Sequence, residues 1–165
     1  MADLDASSIR SNLERVRERI AGAGRDPAEV RVCAAIKYVP VDQLGALAEA
    51  GVEIVGENRA QDLIEKHPAP AVLVQVNVAG EEGKAGIAPG EVGDFIARCP
   101  VPVTGLMTMP PFVERAEDSR PHFAALAELA AEHGLRELSM GTTQDFEVAV
   151  AEGATIVRLG TVLYE

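Results

Sequence analysis

Stretches of consecutive apolar, mostly β-branched residues alternate along this chain with segments in which apolar residues recur every three or four positions. Continuous apolar stretches are typical of strands buried on both faces, and the periodic segments are typical of helices. The predicted strands are residues 30–37, 52–55, 72–78, 103–107, 138–140 and 155–159. Strand and helix alternate six times, which predicts an α/β fold with a parallel sheet and helical crossovers.

The periodic segments also predict the ends of the helices and the faces that they bury. The first helix is expected to begin at a cap formed by Ser7 and Ser8 and to be ended by Gly22 and Gly24. A later helix is predicted over about residues 144–152. The apolar face of the first helix is predicted to be Ile9, Leu13, Val16 and Ile20, and that of a helix after the third strand Val92, Phe95, Ile96 and Cys99.

Unusual residues fall at the carboxyl ends of the predicted strands, among them Lys37, Met107 and Arg158. In a parallel barrel these ends form one rim, where active sites are built. The placement therefore favours a TIM-barrel-type parallel barrel over a doubly wound sheet. The 165 residues are expected to form a single domain over residues 1–165.

Composition narrows the possible partners. Net charge is −11, which disfavours binding to nucleic acid and to anionic membranes. No apolar stretch approaches the roughly 20 residues of a membrane span. Cys33 and Cys99 match no metal-ligand or redox spacing, so we expect buried thiols in a reducing compartment and place the protein in the cytoplasm.

Lys37 ends the first predicted strand, just before Pro40. A strand-end lysine most often extends its amine into solvent. The alternative is a lysine that forms a Schiff base, because apolar surroundings lower the pKa of an amine and make it nucleophilic.

Two short stretches have the composition of a phosphate site. Gly141-Thr142-Thr143 precedes a predicted helix, and Gly160-Thr161 follows the last strand. Amides and hydroxyls there suit an anion, although Gly-Thr pairs are also common in turns and caps.

Arg158 lies within an apolar strand and needs an acceptor if it is buried. That acceptor is either a carboxylate such as Glu57, in an internal salt bridge, or an atom of a ligand such as a pyridine nitrogen. A lysine for an aldehyde, amides for a phosphate and an arginine for a ring nitrogen are together the three contacts of pyridoxal phosphate.

Six motifs occur in one order along the chain: residues 34–40, 56–61, 75–77 with 83–86, 105–109, 138–141 and 157–161. In this order they resemble the pyridoxal phosphate homeostasis protein family, single-domain relatives of the alanine racemase barrel. The resemblance implies that Lys37 forms the internal aldimine and that Arg158 faces the pyridine nitrogen. It also implies a cofactor lining of Asn58 and Met107, with Lys84 on the same rim as a possible transfer amine. The implied phosphate-binding residues are Ser139, Gly141, Thr143, Gly160 and Thr161.

The chain departs from this family near residues 66–71, where the family carries two further strand-helix units. A barrel of this type usually needs roughly 200 residues or more. We therefore expect an incomplete or open barrel, in which residues 54–55 and 72–77 are not neighbours in one ladder.

By resemblance, the expected function is to bind pyridoxal 5'-phosphate as a carrier or buffer, without strong catalytic activity, and to pass it to apo forms of pyridoxal-phosphate-dependent enzymes. A small amino-acid racemase or lyase is one alternative. A phosphosugar aldolase that uses Lys37 is another.

Overall fold

The computed structural model describes residues 4–36, 39, 43–56, 72–99 and 102–164. The strands are β1 (Arg31–Ala35), β2 (Ile54–Gly56), β3 (Val72–Gln75), β4 (Val103–Met107), β5 (Glu137–Ser139) and β6 (Ile156–Leu159). The helices are α1 (Ala6–Gly22), α2 (Leu44–Glu49), α3 (Val92–Arg98), α4 (Arg120–Glu132), α5 (Phe146–Ala151) and α6 (Thr161–Tyr164). Short 3-10 helices cover Pro27–Glu29, Pro89–Glu91 and Ala116–Ser119.

The six strands form one parallel sheet in the order β2-β1-β6-β5-β4-β3. This is the order of a parallel barrel whose wall, in the part of the chain that the structure describes, is open between β2 and β3, and the sheet curls into a half-barrel. The predicted TIM-barrel-type fold with six strands is confirmed. Residues 54–55 and 72–77 were expected not to be neighbours in one ladder. This is also correct, because β2 and β3 lie at opposite edges of the sheet.

Residues of β4, β5 and β6 alternate between two environments, as a strand requires. Leu106, Leu138 and Val157 are buried in the core with the helices. Met107 pairs with Ser139, and Ser139 pairs with Ile156, so these side chains share the opposite, inner face of the curled sheet. Arg158 follows two residues after Ile156 and belongs to the same inner face.

Helix α1 buries the apolar residues predicted for it, Ile9, Leu13, Val16 and Ile20, and ends at Gly22. The predicted cap is wrong. Asp5 is the N-cap residue, and its carboxylate accepts from the backbone amides of Ser7 and Ser8 at 3.3 and 3.1 Å. The Asp5 carboxylate lies two and three residues before these amides and accepts hydrogen bonds from both. The hydroxyls of Ser7 and Ser8 do not cap the helix, because they themselves donate to Asp5.

The predicted apolar face of α3 is only partly buried. Val92 is fully buried, but Phe95 is 37% exposed and Cys99 is half-buried, so the expectation that both cysteines are buried holds for Cys33 alone. Helix α3 connects the edge strand β3 to β4. In the described part of the chain no strand lies beyond β3, so part of the apolar face of α3 has nothing to pack against. Helix α5 is also shorter than predicted.

Gly105 allows β4 and β5 to approach each other closely. A Cβ atom at this position would overlap the backbone oxygen and the Cβ of Glu137 on β5. Glu137 in turn forms an ion pair with Arg31 across the inner face and accepts from the hydroxyl of Thr155 at 2.8 Å. In the described segments, no helix combines the length and apolar character required to cross a bilayer.

Candidate functional site

The carboxyl ends of the parallel strands, with the loops that follow them, form what we call the rim. Pairing of β4 with β5 places Met107 beside Ser139. The backbone amide of Arg158 donates to the carbonyl oxygen of Gly141 at 3.0 Å. Four of the predicted site residues, Met107, Ser139, Gly141 and Arg158, are therefore brought together by three adjacent strands.

Arg158 is held by acceptors from two neighbouring strands. Its Nη1 donates to the carbonyl oxygen of Ser139 at 2.7 Å and to the hydroxyl of Ser139 at 2.8 Å. Its Nη2 donates to the carbonyl oxygen of Thr108 at 2.8 Å and to the Sδ of Met109 at 3.0 Å. A guanidinium has five N–H bonds, so these four acceptors leave Nε–H without a partner among the described residues.

These contacts show what the half-buried Arg158 side chain pairs with. Neutral carbonyl, hydroxyl and thioether groups hold Arg158, and no carboxylate among the described residues forms an ion pair with it; Glu57 lies outside them. Burial lowers the pKa of Arg158, and the neighbouring acidic groups of Cys33 and Asp145 act against that shift. The guanidinium remains protonated, because the pKa of arginine starts above 12.

The loop that follows β5 packs tightly on α5. Gly141 has a φ of +89°, and a Cβ atom there would lie 2.6 Å from the Cβ of Ala149 and 2.8 Å from the Cα of Phe146. Only glycine allows this approach and this backbone conformation. The backbone amides of Thr143 and Gln144 have no acceptor in the described part of the chain, so they remain available to a ligand.

Gly160 and Thr161 follow β6, where Leu163 donates its amide to the carbonyl oxygen of Gly160 at 2.8 Å. A Cβ atom at Gly160 would lie 3.9 Å from the Cβ of Ala35, so this turn adjoins the end of β1. The hydroxyl of Tyr164 donates to the carbonyl oxygen of Ala35 at 3.2 Å. The loop after β6 is thereby fixed beside the strand that leads to position 37.

Lys37 and Asn58 lie outside the described residues. Lys84 lies in the loop after β3 and forms an ion pair with Glu81. The side chain of Asn77 accepts from the amide of Glu81 at 3.2 Å and donates to its carbonyl oxygen at 2.8 Å, which orders that loop.

Three buried residues of the rim were not predicted: Thr108, Ser119 and Asp145. The hydroxyl of Thr108 donates to the carbonyl oxygen of Val76 at 2.9 Å. Asp145 could have been found, because Thr142 and Asp145 have the spacing of a capping box, in which the later side chain accepts from the earlier amide. Thr108 and Ser119 carry no such signal in the sequence.

A cavity of about 380 Å³ lies at the other end of the sheet. It is lined by residues that precede or begin β1 and β2, including Val30, Arg31, Val52 and Glu53. Parallel folds place their ligands at the carboxyl ends of strands. We therefore assign the functional site to the rim, where cationic, amide and hydroxyl donors converge and suit an anionic ligand that also carries an acceptor.

No protein-family model matches the chain, but curated relatives do. The pyridoxal phosphate homeostasis protein of Aquifex aeolicus is 32% identical over 213 residues, which covers 92% of this chain and 93% of the relative. The protein of the same name from Pseudomonas aeruginosa is 32% identical over 96% of this chain and 94% of the relative. Since the first alignment is longer than the 165 residues of this chain, that relative carries residues with no counterpart here.

Solved structures share the fold. An unknown protein from Bifidobacterium adolescentis superposes with a TM-score of 0.79 at 26% identity, covering 96% of this chain and 95% of that one. PipY of Synechococcus elongatus, with pyridoxal phosphate (PLP) bound, gives 0.67 at 24% identity over 91% of this chain and all of PipY. A lysine/ornithine decarboxylase from Vibrio vulnificus gives 0.60 at 13% identity over 97% of this chain and 62% of that one. These likenesses support a fold of the TIM-barrel type.

Proposed function

Because the chain belongs to the pyridoxal phosphate homeostasis protein family, we propose that it binds pyridoxal 5'-phosphate at the rim, as an aldimine of Lys37. Its role is to hold and release the cofactor within the cytoplasm, with apo forms of pyridoxal-phosphate-dependent enzymes as acceptors. The free cysteines Cys33 and Cys99 are consistent with that compartment.

Arg158 is the observation that supports this proposal most directly. Four of its N–H bonds are used by the protein, and Nε–H is left for one acceptor. A pyridine nitrogen is such an acceptor, provided that it is unprotonated. A permanently charged guanidinium enforces that state, because it repels a second positive charge.

The loops after β5 and β6 suit the phosphate group. The free amides of Thr143 and Gln144 and the hydroxyls of Thr143 and Thr161 are the donors that phosphate oxygens require. Asn58 and Met107 are proposed to line the cofactor, as the family resemblance implies. Ser139 is already bonded to Arg158 and is proposed to orient that side chain as well as to contact the ligand.

Arg158 also supports the proposed carrier role. Pyridoxal phosphate serves as an electron sink in enzymes, and a protonated ring nitrogen strengthens the sink. An arginine at that nitrogen keeps it unprotonated and weakens the sink. We infer that this site favours storage and release of the cofactor over turnover of amino acids.

The test is an absorbance titration with pyridoxal 5'-phosphate on wild-type protein and Lys37→Ala. We expect wild-type protein to turn yellow and, after borohydride reduction, to carry the cofactor mass on a peptide that contains Lys37. Lys37→Ala should show neither change, since it lacks the amine. Lys84→Ala is the matched control, because Lys84 is already paired with Glu81 and should leave the spectrum unaltered.

Two results would contradict the proposal. One is a Lys37→Ala protein that stays yellow with the cofactor on another lysine. The other is wild-type protein with no spectral change at all.

A further inference from the structure

Asp145 is a buried carboxylate beneath the loop that follows β5. It is 8% exposed, and its two oxygens are both used by donors. Oδ1 accepts from the backbone amide of Thr142 at 2.8 Å and from the hydroxyl of Thr142 at 3.1 Å. Oδ2 accepts from the hydroxyl of Ser119 at 2.9 Å.

These bonds join two loops of the rim. Ser119 is 0% exposed and ends the 3-10 helix that precedes α4, so it belongs to the connection after β4. Gln144 forms a second hydrogen bond between these loops, because its side-chain amide donates to the carbonyl oxygen of Val113 in the connection after β4. The loop after β5 is therefore attached on one side to the loop after β4 and packed on the other side against α5 through Gly141.

The bond to Thr142 also selects which amides are free. Asp145 occupies the amide of Thr142, while the next two amides, of Thr143 and Gln144, keep no acceptor among the described residues. A carboxylate near a phosphate site would ordinarily repel the ligand. Here three hydrogen bonds engage it, so its position is determined by donors of the protein and it can act as a fixed support.

We propose that Asp145 is a positioning residue for the phosphate group, acting through the backbone of residues 141–143 and supported by Ser119. The inference rests on the proposed function, since it concerns the phosphate end of the same ligand. Asp145 does not contact the phosphate. It holds Thr142 so that the neighbouring amides and the hydroxyl of Thr143 present one fixed set of donors.

The experiment compares two aldehydes that differ in the phosphate, pyridoxal 5'-phosphate and 5-deoxypyridoxal, by absorbance titration. For Asp145→Ala we expect affinity for pyridoxal 5'-phosphate to fall by about tenfold or more, because the amide and hydroxyl of Thr142 lose their acceptor and the loop is released. Affinity for 5-deoxypyridoxal should be unchanged. Asp145→Asn should retain most of the wild-type preference, since an amide oxygen can accept from Thr142 and an amide nitrogen can donate to Ser119.

Two further variants complete the design. Ser119→Ala removes one bond and leaves the others, so it should show a smaller loss, confined to pyridoxal 5'-phosphate. It remains informative if Asp145→Ala does not fold. Asp118→Asn is the matched control, because Asp118 adjoins Ser119 but pairs with the exposed Arg115 and should behave as wild type.

The outcomes separate this inference from the proposed function. Wild-type protein that binds neither aldehyde would overturn both. The positioning role alone would be overturned if wild-type protein prefers the phosphorylated aldehyde and the Asp145→Ala and Ser119→Ala variants keep the same preference. Equal losses of affinity for both aldehydes in Asp145→Ala would also overturn it. So would an Asp145→Asn variant that binds pyridoxal 5'-phosphate as weakly as Asp145→Ala, because the effect would then belong to the charge of Asp145.

Discussion

At the scale of single residues, Cys33 links ionisation to stability. Burial raises the pKa of this thiol above its ordinary value of 9.0, and the neighbouring charge of Arg158 only partly opposes the shift. The folded protein therefore keeps the thiol proton at a pH where the unfolded chain releases it. The free energy of unfolding contributed by Cys33 is fully present below pH 9.0 and falls as pH rises through the pKa of the folded state.

We predict that the free energy of unfolding of wild-type protein declines as the pH rises above 9.0 and that Cys33→Ala reduces this decline. Urea unfolding under reducing conditions at several pH values measures both slopes. Cys99→Ala, which removes a half-buried thiol, is measured beside it as the comparison variant. A Cys33→Ala protein with the full wild-type slope would assign the alkaline loss to other groups, such as Tyr164, whose pKa burial also raises.

The sequence predicts the environment of a single residue well when one chemical requirement of its side chain dominates. Arg158 was expected to need acceptors, and its half-buried guanidinium has them, but the identity of those acceptors depends on which strands are neighbours. Asp145 was predictable in principle from its spacing to Thr142. Ser119 was not, because its partner lies 26 residues away and only the folded rim brings the two together.

At the scale of elements, the spacing between β4 and β5 depends on a residue without a side chain. We predict that Gly105→Ala lowers the free energy of unfolding by about 1–3 kcal/mol, because its Cβ would overlap the backbone of Glu137 and force the two strands apart. Thermal or urea unfolding measures the loss. Gly45→Ala is the control, since Gly45 lies in α2 with nothing within 4 Å of a Cβ, and it should stabilise slightly. Equal stability of Gly105→Ala and wild type would refute the prediction.

Elements were predictable in number and order because each strand is a distinct apolar stretch. Their ends were less so. Strand β3 was predicted to run to residue 78 but ends at Gln75, and Val76 only bridges to Ile87. At a sheet edge a second neighbour is missing, and an apolar sequence alone cannot extend the ladder.

At the scale of the whole molecule, the open sheet leaves β2 and β3 without an outer strand partner in the described part of the chain. Exposed edges with apolar side chains favour association between chains. Val55 on β2 is 49% exposed. We predict that Val55→Lys raises the concentration at which the protein self-associates, as measured by sedimentation velocity, with little change in stability.

Phe112→Ser provides the matched comparison for Val55→Lys. Phe112 is 87% exposed but lies in the loop after β4 and belongs to neither edge strand, so its replacement should have a smaller effect on association. The reverse order of effects would exclude edge pairing as the cause. Chain length and motif order predicted the opening itself, whereas the curl of the sheet depends on long-range packing that the sequence does not display.

The strand order also has a consequence in time. Arg31 of β1 pairs with Ile156 of β6, so a strand made early in translation waits for one made late. At 5–20 residues per second, the delay is roughly 6–25 s. During that interval β1 has β2 as its sole native neighbour, and the β1 edge that β6 later covers is open to other nascent chains. We therefore expect the folding yield of this protein in the cell to depend on the rate of translation and on the supply of chaperones.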